Sequence, residues 1–79
     1  MTNVRVKLTF PENLIKQPII GRLAREFDVL PNIRRANVEE SVGWMICELG
    51  GEDEAVARAI TWLEELGVQV DRLGDVVES

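Results

Sequence analysis

Asp28-Val-Leu-Pro-Asn-Ile-Arg-Arg-Ala-Asn-Val38 separates two kinds of periodicity. Before it, Pro18 suits the first turn of a helix, where its missing N–H costs nothing. Ile19, Ile20, Leu23, Ala24 and Phe27 then fall within one arc of about 140° at 100° per residue. Arg22, Arg25 and Glu26 take the opposite side. This amphipathic helix stops near Asp28, because Pro31 cannot continue it. From Asn32 to about Glu39 the chain reads as a strand of imperfect alternation, with Ile33 on one face and Ala36 and Val38 on the other. An edge strand carrying a bulge reconciles them.

Working outward, Asn3–Phe10 alternates strictly, with Val4, Val6, Leu8 and Phe10 on one face and Asn3, Arg5, Lys7 and Thr9 on the other. That is a half-buried strand; Pro11 ends it, and Glu12–Gln17 is a short connection. Glu39, Glu40 and Ser41 form a hairpin tip. Val42–Leu49 is a third strand, with Met45, Cys47 and Leu49 inward. Trp44, Ile46 and Glu48 face outward, since a charged Glu48 is expected to be solvated. Gly50 and Gly51 break the strand. Glu52, Asp53 and Glu54 open a second helix, where the helix dipole favours negative charge. Its buried stripe is Val56, Ala59, Ile60, Leu63 and Leu66, with Trp62 at the border and Gly67 as C-terminal cap. Val68–Leu73 is the fourth strand, with Val68 and Val70 inward, and Gly74–Ser79 a frayed acidic tail.

The order β-α-β-β-α-β predicts an α+β, ferredoxin-like sandwich: a four-stranded antiparallel sheet with two helices on one face. A length of 79 residues sets one domain, 1–79, with a folded part of about 3–73. So short a chain buries only about 60% of its unfolded surface, so a second copy is a natural source of further burial. The apolar fraction, 46%, is too high for a disordered chain. With no long apolar run and no signal-peptide pattern, a cytoplasmic protein without direct membrane insertion is expected.

A net charge of −5 argues against a nucleic-acid partner. Histidine is absent and Cys47 is the only cysteine, so the usual general base, a disulfide and a cysteine metal cluster are all missing. No metal or cofactor is expected. Among modules of this fold, an RNA-recognition motif needs aromatic residues on the open face, where Trp44 is the one present. A metallochaperone needs a Cys-x-x-Cys pair after the first strand, an acylphosphatase a Gly- and Arg-bearing loop there, and a ferredoxin several thiolates; none is found. The acidic clusters Glu39-Glu40 and Glu52-Asp53-Glu54 place no nucleophile against a base, so no enzyme is expected.

Phe10, the Pro-led helix ending in Arg25-Glu26-Phe27, the triplet Asn32-Ile33-Arg34, Ala36, Gly43, Glu48-Leu49-x-Gly51 and Ala59-Ile60-x-Trp62-Leu63 together resemble the NIL domain, from Val4 to about Leu73. That resemblance implies an ACT-like regulatory module, of the kind carried at the C-terminus of methionine ABC-importer ATPases. It also implies a small apolar amino acid such as methionine bound near Asn32 at a homodimer interface. The family's triplet is Asn-Ile-Leu; here Arg34 replaces the leucine, which alters ligand preference or abolishes binding. No Gly-x-x-x-x-Gly-Lys-[Ser/Thr] loop is present, so these residues are not the importer's motor.

The Asn32 amide has donors and acceptors to match an amino acid's ammonium and carboxylate; it also suits a turn residue after Pro31. Ile33 fills the core or a pocket wall. Arg34 and Arg35 can hold a carboxylate, or sit solvated and discourage edge pairing. Trp44 and Ile46, apolar on a charged face, mark a covered interface or ordinary exposure. Two functions stay open: an amino-acid-sensing dimer, and a protein-interaction module without a small ligand that docks through its sheet face on a transporter or redox partner.

Overall fold

The computed structural model describes residues 1–39 and 41–75. In chain order these form β1 (Thr2–Pro11), a 3-10 turn (Glu12–Leu14), α1 (Ile19–Phe27), β2 (Leu30–Val38), β3 (Val42–Gly51), α2 (Asp53–Leu66) and β4 (Gln69–Asp75). The sheet is antiparallel, in the order β2-β3-β1-β4. This is the ferredoxin-like α+β arrangement the sequence predicts. Among the described residues no helix is long and apolar enough to cross a membrane.

Alternation along β1 sends Val4, Val6, Leu8 and Phe10 into one core with Cys47 and Leu49 of β3. α1 adds Ile19 and Leu23, and α2 adds Val56, Ala59, Ile60 and Leu63. Both helices therefore cover the same side of the sheet, and Arg5, Lys7, Trp44 and Ile46 lie on the uncovered side. Three apolar residues take parts the periodicities do not reveal. Leu14, in the 3-10 turn, and Val29, between α1 and β2, are buried, whereas Ala24 of the expected α1 stripe is exposed. α1 is too short to bury its whole arc, and the chain on either side of it completes the core.

The junction in Asp28–Val38 is sharper than Pro31 alone would make it. α1 ends at Phe27 because Asp28 takes a left-handed conformation (φ 55°, ψ 40°), and Pro31 already lies within β2, opposite Leu49. The expected bulge is present: Ile33 pairs with Cys47 and Arg35 with Ile46, leaving Arg34 as the extra residue. Beyond it, Ala36 opposes Met45 and Val38 opposes Gly43, so Ile33, Ala36 and Val38 share the helix side. A second bulge leaves Leu73 of β4 between Arg72, opposite Val6, and Gly74, opposite Arg5. α2 closes at Gly67 (φ 105°), as its spacing predicts, with the Gly67 and Val68 N–H groups donating to the Glu64 and Leu63 carbonyls at 3.1 and 3.0 Å. Gly74 and Asp75 continue β4 rather than beginning a tail; Glu40 of the hairpin tip and residues 76–79 lie outside the described residues.

Candidate functional site

The five residues singled out from sequence do not form one cluster. Asn32 stands on β2 opposite Glu48, exposed on the open side, and lines a shallow depression of about 470 Å³ with Leu30, Thr2, Asn3 and Gly50. Ile33 faces the helix side but is 50% exposed, so it is not core. β2 is one of the sheet's two edge strands and extends past the cover the helices provide. Trp44 and Ile46 lie further along the open face, half-buried, with the Lys7 ammonium 5.4 Å from the Trp44 ring centre.

Arg34 is aimed inward across the face by the bulge. Its Nη2 donates to Glu48 Oε1 at 3.0 Å, while Arg5 Nη2, from the other neighbouring strand, donates to Oε2 at 2.9 Å. Glu48 is consequently not solvated: it is 3% exposed, roofed by two guanidinium groups that are themselves half-exposed. Hydrogen bonds from Arg5 and then Arg34 hold its carboxyl below its ordinary value of 4.5, against the opposing effect of desolvation. Alternation places Glu48 on the correct face but cannot reveal that register sets an arginine on each side of it. The substitution that departs from the Asn-Ile-Leu pattern thus has a partner within this chain.

Behind the sheet, Cys47 is fully buried and its thiol is pushed up to about 11, mainly by burial and secondarily by the Glu48 charge. It is therefore unsuited to nucleophilic work near neutrality. Among the described residues no group of three or more Cys, Asp and Glu side chains is placed to hold a metal ion.

The most exposed apolar side chains in the body of the domain are not Trp44 and Ile46. Leu30 (77%), Val38 (66%) and Ile33 (50%) follow the β2 edge, and Val42 begins β3 beside them. Near the Val38 end, Phe10, Leu14, Ile15, Ile19, Ile20, Gly43 and Met45 enclose an apolar notch of about 100 Å³. Sequence periodicity misses the notch because two of its walls, Leu14 and Ile15, come from a connection with no regular pattern.

Known proteins resemble the chain over nearly its whole length. A methionine import ATP-binding protein, MetN, of Chromohalobacter salexigens is 38% identical over 79 residues, covering 95% of this chain and 23% of that protein. The MetN of Coxiella burnetii is 33% identical over 75 residues, covering 90% of this chain and 21% of that protein. The chain thus spans about a fifth of the length of these curated relatives. The solved C-terminal domain of an ABC transporter ATP-binding protein from Enterococcus faecalis superposes with a TM-score of 0.78 at 28% identity, covering 90% of this chain and 83% of that one. The NIL domain profile matches residues 4–72, and with the sheet order and the Asn32-Ile33 strand placed as described, the chain belongs to the NIL domain family.

Proposed function

We propose that this chain is a non-enzymatic regulatory module that holds a small apolar amino acid, methionine first, between two copies of itself. The observation that carries this is the composition of the β2 edge. An exposed amide, Asn32, stands among exposed Leu30, Ile33 and Val38 on a strand that, among the described residues, has no neighbour on its outer side. An open strand edge is a template for pairing with another strand, and the capture of Arg34 by Glu48 draws one large charge off that edge. Within one copy Asn32 and the notch at Val38 lie six residues apart, roughly 20 Å at about 3.3 Å per residue. Antiparallel pairing of two β2 edges around Arg34 and Arg35 would set the Asn32 end of one copy beside the Val38 end of the other. There Ile33 of one copy, on the helix side, would extend the wall of the other copy's recess, while Asn32 would present its amide at the same seam from the open side. The methionine-import function in the relatives' names supports that choice of ligand.

Calorimetric titration with methionine and a panel of other amino acids tests this. Saturable heat is expected for methionine, and Asn32→Ala is expected to weaken binding about tenfold or more through loss of polar contacts. No heat from any amino acid at millimolar concentration, with folded protein, would remove the proposal.

A second reading, docking on another protein through the open sheet face, is favoured by one separate observation: the basic side chains gathered around Trp44 and Ile46 on that face.

A further inference from the structure

We infer that the open sheet face receives an acidic polypeptide segment bearing apolar residues, supplied by a different protein. This rests on the docking reading and names the chemistry of its partner. Four of the chain's nine lysines and arginines occupy this face: Arg5 and Lys7 of β1, and Arg34 and Arg35 of β2. Among the described residues its carboxylates are Glu48, already bridged by Arg5 and Arg34, Asp71, opposite Lys7, and Glu39 at the rim, which accepts a hydrogen bond from the Asn37 amide. The face has a net charge of about +1 while the whole chain is −5, so the remainder carries about six excess negative charges. Charge of this chain is thus sorted by side.

The geometry makes the basic side specific. Glu48 takes one nitrogen from each of two guanidinium groups and fixes both in place; a guanidinium has five N–H donors, so each retains several for an incoming carboxylate. Pre-ordered donors lose less conformational entropy on binding. Between the arginines and Thr9 lies an apolar floor: Ile46 opposes Lys7 and Arg35, and Trp44 opposes Thr9 and Asn37. The cation–π contact of Lys7 with Trp44 keeps that charge over the floor. Carboxylates with interspersed apolar side chains match this surface. A nucleic acid matches it poorly, because the excess negative charge of the remainder repels phosphates and the single aromatic on the face already carries a cation. A second copy set face to face brings like charge against like.

Backbone amide shifts of the isotopically labelled chain test the inference, with an oligoglutamate peptide carrying leucine at every fourth position as probe. Its glutamine-for-glutamate counterpart is the control. The acidic peptide is expected to shift the amides of Arg5, Lys7, Arg35, Trp44 and Ile46 and to release them as salt rises from about 50 to about 500 mM. Lys7→Glu with Arg35→Glu, which leaves the Glu48 bridges in place, is expected to weaken binding about tenfold or more, whereas Arg58→Glu on α2 is not. Equal, salt-insensitive binding of the glutamine peptide on this face would overturn the acidic partner and leave docking intact. No shift on this face with either peptide would remove both. Shifts that depend on protein concentration without peptide, and pair this face with the helix face, would assign it to a second copy and overturn the inference.

Discussion

At position 48 a carboxylate lies under two arginines on what is otherwise the solvent side of a sheet. Its folded pKa is below its ordinary 4.5, so its stabilising effect is full above that value and is lost as pH falls through the folded value. Acid titration of chemical stability should therefore show wild type more stable than Glu48→Gln at neutral pH, with the gap closing as pH drops below about 4.5. A gap that persists at pH about 2 would place its origin outside ionisation. The neighbouring Cys47 thiol, raised to about 11 and sealed in the core, should stay unmodified by a neutral-pH thiol reagent until the chain unfolds. At this scale sequence reveals sides better than neighbours. Alternation separates Cys47 from Glu48 correctly, but no local pattern pairs Arg5 with Glu48 across 43 positions.

Among the elements, α1 and β2 show what periodicity can and cannot carry. The mixed alternation of Ile33, Ala36 and Val38 is legible as a bulge, because only an extra residue returns them to one side, and Arg34 is that residue. The end of α1 is legible from Pro31, but its mechanism is the left-handed Asp28, which no pattern marks. A left-handed conformation costs an L-residue about 1–2 kcal/mol, less for aspartate, and glycine almost none. Asp28→Gly is accordingly expected to raise stability by up to about 1 kcal/mol in urea denaturation; a clear loss would mean that the Asp28 side chain has a structural role. The α2 cap at Gly67 is legible outright, since its left-handed φ of 105° is the conformation a helix-terminal glycine serves. Trp62, placed at the stripe's border by spacing, packs on Phe27 with ring centres 5.2 Å apart and carries Arg22 at 5.1 Å. The aromatic pair joins the two helices.

The whole molecule is a thin core with two unlike exposed regions, a basic sheet face and an apolar edge. Its core depends on a few fully buried side chains, among them Leu8, Leu23, Leu49 and Leu63. Leu63→Ala should cost about 2–5 kcal/mol, a large share of the stability of so small a domain. Side-chain exposure along β2 was the least legible feature, because it depends on how far the helices reach and not on the strand's own residues. Family membership accounts for the fold and for the link to methionine importers; the proposed ligand and dimer rest on the β2 edge. Linkage requires a ligand shared between two copies to tighten their association. Light scattering over a dilution series, with and without saturating methionine, measures this directly. A twofold mass that survives to lower protein concentration with methionine present is the expected result. A mass of one chain, 8.9 kDa, at every concentration with and without methionine would contradict it.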